Sequence, residues 1–454
     1  MRIIRKTTAA CAVLTLGLGL AACADAEETG GSGYDDADAT LTEAARERAE
    51  EIAADYDFTR TSITMLSDLG GDEMDQFLAT FAPFEEATGI TLEYESTRDL
   101  LSVLSTRVQG GNPPDLTSNP SIGQMQSLMA SGDLVPLDDM LDMDTIREQY
   151  NEGLLDLASD EDGQLYGLFT TAALKGLIYY NPETYDGPTE PATWSELTDW
   201  TQERADSGTT PWCIGLESGA ASGWPATDWI EQFMLSQHGT EVYDSWMNGE
   251  LAWTSPEVTE AFEAFIAVTT DQMANGGPTG VVSTNFLTAA DPMYDDPARC
   301  DLHLQADWMA RTLPAQVETS VPGQTLDFFQ FPAADAANAG TVETAGELLG
   351  AFNDDPEVQA LVRYAASVER NALLADTGLW ISPNTGVSAE AYPTVLSQRA
   401  AEIFTGAESV RFDASDYISS DINQQFWAAC LTVVKDPSAL TNELNTLEQM
   451  RTAE

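Results

Sequence analysis

The chain has 454 residues, of which 43 % are hydrophobic and 9 % aromatic, enough for a large buried core in two or three domains. Nineteen Lys and Arg stand against 75 Asp and Glu, a formal net charge of −56. This charge excludes nucleic-acid binding driven by counterion release and membrane attachment through a basic patch. The two histidines are too few for a multi-histidine metal site. The composition therefore predicts an acidic globular protein whose ligand is uncharged or cationic.

Residues 1–22 are typical of an export signal. A basic start precedes an apolar run that is too short to span a bilayer as a helix. The run ends in Leu20-Ala-Ala-Cys23, which resembles a lipobox, so we expect Cys23 to carry a lipid at the extracellular face of the cell membrane. A plain signal peptide is the alternative. Residues 23–60 are then expected to be an acidic, lipid-anchored tether with a short helix from Thr40 to Ala54.

Removal of residues 1–22 leaves 16 basic against 75 acidic residues, a net charge of −59. Repulsion of this size destabilises a compact chain in dilute buffer and is screened in salt. The acidity indicates adaptation to a saline habitat, although an ordinary exported acidic protein remains the alternative.

The cysteines also favour export to an oxidising compartment. Once Cys11 leaves with the signal and Cys23 is acylated, three remain, of which one pair is expected. We pair Cys213 with Cys300, because both lie at strand-like segments. A disulfide that includes Cys430 is the alternative. Closing this loop would stabilise the fold by roughly 4–5 kcal/mol in the chain-entropy model.

From Thr61 onward, strands and helices alternate. Hydrophobic periodicity predicts strands at 62–66, 90–94 and 115–117, and helices at 74–88, 101–109 and 122–131. Gly132 is placed as a helix C-terminal cap. This order favours a mostly parallel, doubly wound α/β sheet.

A second block begins near Lys175, with a strand at 176–180 and helices from Pro191, at 228–236 and at 256–272. All ten tryptophans lie at or beyond Trp194. They serve either as core packing or as aromatic platforms facing a cleft.

Motifs for catalysis are missing from the sequence: it has no phosphate loop, no His-Glu-x-x-His and no Gly-x-Ser-x-Gly. We therefore predict no metal and no cofactor. Seventy-five acids offer many carboxylate pairs, so none by itself indicates a glycoside hydrolase. The segment Trp212–Trp229 instead combines a strand, a loop of small residues and a helix. Its Trp224 and Asp228 suit a sugar, whose C–H face stacks on indole and whose hydroxyls bind carboxylates.

Several motifs together resemble the family 1 extracellular solute-binding proteins of bacterial ABC importers, close to the α-glucoside binders. These motifs are Phe84–Ile90, Gly110–Leu116, Gly132–Asp139, Pro191–Leu197, Pro211–Gly215, Thr227–Trp229, Gly378–Asn384 and Phe412–Asp416. The likeness spans the chain from Thr61 onward. It departs at Tyr417-Ile-Ser, where related sequences often continue with Met-Pro.

The resemblance implies a two-lobe, type II periplasmic-binding-protein-like fold, each lobe a mostly parallel sheet flanked by helices, joined by hinge strands around an oligosaccharide. The expected lobes are 61–172 with 326–372, and 173–325 with 373–454. The second lobe would hold every tryptophan. The expected partners are the permease subunits in the membrane, with no nucleic acid, and the expected state is a monomer.

Loop positions and the resemblance together single out twelve ligand-binding candidates: Asp68, Gly71, Asn119, Lys175, Glu217, Trp224, Asp228, Asp307, Trp308, Trp380, Arg411 and Asp416. Asp68 and Asn119 follow strands at the edge where open α/β sheets bind ligands. Other roles remain open for several of them: a helix cap for Asp228, a salt bridge for Lys175 and a surface ion pair for Arg411.

The sequence thus predicts a non-catalytic receptor that captures an oligosaccharide outside the cell and presents it to a permease. A secreted glycoside hydrolase is the rival from another class. A binder of another small polar solute, such as a polyamine, is the third hypothesis.

Overall fold

The computed structural model describes residues 38–312, 325–407 and 409–453. The export signal and Cys23 therefore lie outside the described residues. The strands are β1 (Ser62–Ser67), β2 (Thr91–Ser96), β3 (Leu116–Asn119), β4 (Gly167–Phe169), β5 (Ala173–Leu174), β6 (Leu177–Tyr180), β7 (Leu302–Gln305), β8 (Asp327–Gln330), β9 (Thr341–Ala345), β10 (Leu348–Ala351) and β11 (Ser409–Phe412).

The helices precede and flank these strands. They are α1 (Ala39–Ala53), α2 (Asp72–Ala79), α3 (Ala82–Thr88), α4 (Leu100–Gln109), α5 (Ile122–Ser131), α6 (Met143–Gln149), α7 (Glu152–Leu157), α8 (Trp194–Asp206), α9 (Trp224–Met247), α10 (Pro256–Val268), α11 (Gly277–Ser283), α12 (Met309–Thr312), α13 (Pro356–Ala366), α14 (Val368–Thr377), α15 (Val395–Gly406), α16 (Ala414–Tyr417), α17 (Ser420–Lys435) and α18 (Leu440–Arg451). Over the described ranges, none of them is both long enough and apolar enough to cross a membrane.

A five-stranded sheet in the order β2-β1-β3-β10-β4 forms the first core. The strands β1, β2 and β3 pair in parallel, as predicted from the alternation of strands and helices. In contrast, β10 is antiparallel to both β3 and β4. The sheet is therefore mixed, because β10 enters it from the opposite end, after the chain has passed through the second half of the molecule.

The second core surrounds a three-stranded antiparallel sheet in the order β7-β6-β8. A further sheet, β11-β9-β5, contributes its buried apolar residues to the first core. The strand β8 pairs with β6, whereas the sequence places the return to the first lobe at Leu326, just before β8. The helix α14 likewise runs across the boundary expected at 372/373 and packs against α1 on the first half.

The helix α1 matches the short helix predicted within the acidic tether. Its apolar side buries Ala45, Ala49 and Ile52 completely or nearly so, and it packs against α3, α13 and α14. The three buried residues recur at helical spacing, which places them on one face. This part of the expected tether is therefore part of the folded body.

The helix α9 begins at Trp224, four residues before its predicted start. Gly223 takes φ +108° just ahead of it, and Pro225 occupies the first turn, where a missing N–H costs nothing. Asp228 thus lies in the second turn and does not cap the helix. The predicted Cys213–Cys300 disulfide is confirmed, with a Cα–Cα distance of 5.5 Å, and Cys430 is buried and unpaired.

Candidate binding cleft

A cleft with an empty volume of about 1260 Å³ lies between the two cores. Seven of the twelve predicted residues line it: Asp68, Asn119, Lys175, Trp224, Trp308, Trp380 and Asp416. Asp68 follows β1 and Asn119 ends β3, so the carboxyl ends of parallel strands contribute to the cleft as expected. The geometry therefore brings most of the candidates into one place.

The aromatic lining is concentrated on one wall. The ring centroids of Trp224 and Trp308 lie 5.2 Å and 6.0 Å from that of Phe286, and 6.5 Å from each other. Trp380 lies elsewhere, edge-on to Phe77 of α2 with centroids 6.2 Å apart. Trp380 therefore packs against α2 of the first half, apart from the other two indoles.

A buried ion-pair group lies beneath this wall. Lys175 Nζ is 2.8 Å from Asp228 Oδ1 and 2.5 Å from Asp413 Oδ2, and 5.5 Å from the Trp224 ring centroid. Burial alone would lower the pKa of Lys175, but attraction to both carboxylates outweighs it and holds that pKa well above its ordinary value. Lys175 is therefore a charged lysine that already has its counterions.

Further carboxyls face the cleft from both halves. Burial, with repulsion from Asp68, raises the pKa of Glu347, and burial with repulsion from Asp413 raises the pKa of Asp416. Burial also raises the pKa of Asp68 itself, against the opposing charge of Arg98. The lining is thus rich in hydrogen-bonding carboxyls and hostile to an anionic ligand.

Several polar atoms of the cleft residues have no hydrogen-bond partner among the described residues. They are Asp68 Oδ1, Ser218 Oγ, Trp427 Nε1 and both amide atoms of Asn423. Asn423 is only 1 % exposed, and a buried amide without partners is costly. These atoms indicate a ligand that supplies both donors and acceptors.

Asn423 and Trp427 were missed by the sequence analysis, as were Phe286 and Glu347. Asn423 and Trp427 stand four residues apart on α17, which places them on the same face of that helix. That spacing was the only local signal for them. Phe286 and Glu347 had none, since each enters the cleft through the packing of distant segments.

Two predicted site residues are used elsewhere. Both oxygens of Glu217 accept hydrogen bonds, from Asn285 Nδ2 at 2.7 Å and from the Gly219 amide at 2.9 Å. Arg411 forms a bidentate ion pair with Asp244 of α9, at 2.5 Å and 2.9 Å. Neither is among the residues that line the cleft, because each side chain is held by a partner remote in sequence.

Three others also lie off the cleft surface. Gly71 is exposed at the start of α2, with φ +61°, and Asp228 is turned toward Lys175. Asp307 Oδ1 accepts the Leu174 amide at 2.8 Å, and burial raises the pKa of Asp307 to about 8. Asp228 and Asp307 thus lie behind the cleft walls, and their contact with a ligand stays a prediction.

The two halves touch beside the cleft. A Cβ built on Gly123 of α5 would lie 2.0 Å from the backbone oxygen of Ile418, just after α16. The Arg98 guanidinium, on the first half, lies 5.8 Å from the Phe286 ring centroid on the second. Gly123 therefore permits a close backbone approach that any side chain would block.

A family model and two relatives of known name assign the chain to the same protein family. The model described as bacterial extracellular solute-binding protein matches residues 70–372. The chain is 34 % identical over 397 residues to the osmoprotective compounds-binding protein GgtB of Synechocystis, covering 87 % of this chain and 93 % of that protein. It is 31 % identical over 403 residues to the alpha-glucosides-binding periplasmic protein AglE of Rhizobium meliloti, covering 86 % and 87 %.

Solved structures confirm the two-lobe, type II fold. A chitin oligosaccharide binding protein superposes with a TM-score of 0.73 at 17 % identity, covering 87 % of this chain and 99 % of that one. The maltose-bound MalE3 of T. maritima gives a TM-score of 0.66 at 13 % identity, covering 86 % and 99 %.

Proposed function

This chain belongs to the bacterial extracellular solute-binding proteins, non-catalytic substrate-binding components of ABC importers for sugars or osmoprotective compounds, and we propose that it delivers a neutral α-glucoside to a membrane permease. The sugar, maltose-like or trehalose-like, binds in the cleft between the lobes. The similarity to proteins named for alpha-glucosides and for osmoprotective compounds supports this class of ligand.

The observation that carries the proposal is the meeting of indole faces with unpartnered polar atoms in one cleft. A pyranose ring presents C–H groups to an indole such as Trp224 or Trp308 and hydroxyls to polar neighbours. A hydroxyl both donates and accepts, so the hydroxyls of a sugar can satisfy both the amide of Asn423 and the free oxygen of Asp68. A neutral polyol therefore fits both features.

A cationic solute such as a polyamine is the less favoured candidate. The acidic lining would attract it, but the position over the Trp224 ring is already taken by the Lys175 ammonium, 5.5 Å from its centroid. Lys175 also neutralises two carboxylates, those of Asp228 and Asp413. The remaining free acceptors are accompanied by donors, which a cation cannot use.

We place the lobe crossings near Ala172, Ala345 and Ile381, where Ala172 and Ile381 form an isolated bridge and β9 gives way to β10. Closure of the lobes about these crossings encloses the sugar. We further propose that Cys23 anchors the protein to the membrane, that it acts as a monomer, and that its charge of −59 suits a saline habitat.

Calorimetric titration in high salt tests the proposal, with maltose, trehalose, glucuronic acid and spermidine added separately to the lipid-free chain. We expect binding of at least one neutral glucoside, and no release of glucose on prolonged incubation. Trp308→Ala should greatly weaken that binding, whereas the matched change Trp200→Ala, on the half-buried face of α8 away from the cleft, should not. Binding of spermidine alone, or cleavage of the sugar, would contradict the proposal.

A further inference from the structure

Four buried carboxyl groups meet behind the acidic wall of the cleft. Asp228 and Glu231 come from α9, Glu343 from β9, and Asp413 from the turn after β11. One oxygen from each lies within 4.8 Å of the others. Lys175 binds two of these groups, Asp228 and Asp413, and leaves the two glutamates without an ion-pair partner among the described residues.

Each glutamate uses one oxygen and leaves the other without a donor. Glu231 Oε1 accepts the Ser415 amide at 2.8 Å, and Glu343 Oε2 accepts Gln232 Nε2 at 2.5 Å. The second oxygens, Glu231 Oε2 and Glu343 Oε1, receive no hydrogen bond in the described part of the chain, although the residues are 0 % and 1 % exposed. Two bare carboxylates this close in a buried site would repel each other strongly.

We propose that Glu231 and Glu343 share one proton, and that this carboxyl pair is the positioning unit that ties the wall formed by residues 413–416 to the hinge strand β9. The proton lets one carboxyl donate to the other, which satisfies both orphan oxygens. Glu231 thereby holds the Ser415 amide, and with it the turn that presents Asp413, Ser415 and Asp416 to the cleft. This role depends on the proposed function only for the identity of the ligand that the wall binds.

A proton suits the site better than a metal ion. The Lys175 ammonium already stands between Asp228 and Asp413, and a second full positive charge among the same carboxyls would be repelled by it at low dielectric. A proton bound to one carboxyl neutralises that group and does not place a second cation beside Lys175. It also needs only the two oxygens that lack donors.

The charged and titratable surroundings favour the protonated pair at neutral pH. Burial and the negative charges of Asp413 and Asp228 raise the pKa of Glu231 well above its ordinary value and that of Glu343 to about 8. The other groups that interact with the pair are Lys175 beside β5 and Tyr243 of α9. Of these, Lys175 alone opposes the uptake of a proton.

The carboxyl pair makes the stability of the folded protein depend on pH. Unfolded glutamates release their protons near their ordinary pKa, whereas burial and the neighbouring negative charges raise the pKa of Glu231 well above its ordinary value and that of Glu343 to about 8 in the folded protein. The pair's stabilising contribution is therefore fully present below the ordinary pKa and is lost as the pH rises to about 8. The unfolding equilibrium changes by up to about tenfold per pH unit across this window.

The test measures thermal unfolding of the full mature chain without sugar, at fixed salt, from about pH 5 to pH 9. Glu231→Gln keeps an oxygen for Ser415 and gives Glu343 a permanent donor. Its melting temperature relative to wild type should therefore climb steadily with pH. Glu343→Gln should behave alike, and it serves if the first variant folds poorly. Glu241→Gln, exposed on the same helix, should show no such trend.

A constant difference between Glu231→Gln and wild type at every pH would overturn the shared proton. Stabilisation of wild type, but not of Glu231→Gln, by added Ca²⁺ or Na⁺ at constant ionic strength would also overturn it, in favour of a bound metal. These measurements contain no sugar, so they stand even if no glucoside binds. If one binds, its affinity for wild type should fall above about pH 8, and Glu231→Gln should remove that fall.

Discussion

A methyl group at Gly123 should prevent the two lobes from closing fully. Gly123 lies in α5 on one lobe, and a Cβ there would stand 2.0 Å from the Ile418 oxygen and 2.8 Å from the Tyr417 oxygen on the other. Both obstacles are backbone atoms, which cannot rotate away as a side chain would. Gly123→Ala therefore acts on the contact between lobes.

The size of the effect follows from the distances. The Ile418 carbonyl has to retreat by about 1.4 Å to reach the 3.4 Å of ordinary contact. Overpacking of this kind typically costs about 1–3 kcal/mol. If the closed, liganded state bears that cost, affinity falls by about 5- to 150-fold. The open form avoids the clash, and alanine is at least as good a helix former as glycine, so its stability should not fall.

Calorimetric titration of the bound glucoside and small-angle scattering with and without it provide the assay. Gly123→Ala should bind more weakly and contract less on addition of sugar, with an unchanged or higher melting temperature. Gly406→Ala is the matched control, because no atom lies within 4 Å of its added Cβ. Wild-type affinity and full contraction in Gly123→Ala would refute the reasoning.

Three further changes test individual parts of the site. Asn423→Ala removes an amide that has no hydrogen-bond partner among the described residues, so the affinity for sugar should drop by about 5- to 150-fold in titration. The melting temperature of the sugar-free protein should stay the same or rise. An unchanged affinity would exclude Asn423 as a sugar contact. Asp307→Asn should be more stable than wild type near pH 8 and lose this advantage by about pH 4. Burial raises the Asp307 pKa to about 8, so wild type loses stability as the pH rises through this window; parallel pH profiles in denaturant unfolding would contradict this. Lys175→Met should lower the free energy of unfolding by about 3–5 kcal/mol near pH 7, because it leaves the buried carboxylates of Asp228 and Asp413 without a counterion. The loss should be smaller in acid, where these carboxylates become protonated. A loss of stability that does not depend on pH would contradict this reasoning.

The first half of the fold was predictable because its signals are local. Helical spacing of apolar residues and helix-ending glycines located β1 to β3 and their helices within a few residues, except that the single helix predicted at 74–88 is two helices, α2 and α3. The antiparallel entry of β10 was not predictable, since it depends on a crossing between lobes. The pairing of β8 with β6 was not predictable for the same reason, since the two strands are far apart in the sequence.

The same distinction between local and distant signals separates the site residues that could be predicted from those that could not. Asp68 and Asn119 could be found from their position after strands, and Trp224 from the chemistry of its loop. Glu217 and Arg411 looked equally suitable, but Asn285 and Asp244, far away in the sequence, occupy their side chains. In a chain with 75 acidic residues, sequence cannot tell which carboxyl is free and which is paired.

The crystal structure of the complex with the glucoside that binds most tightly tests the central claim most directly. The account predicts a pyranose ring stacked on Trp224 or Trp308, with hydroxyl oxygens within about 3 Å of the Asn423 amide and of Asp68 Oδ1. A sugar bound outside this cleft, or held there without touching an indole or Asn423, would contradict it.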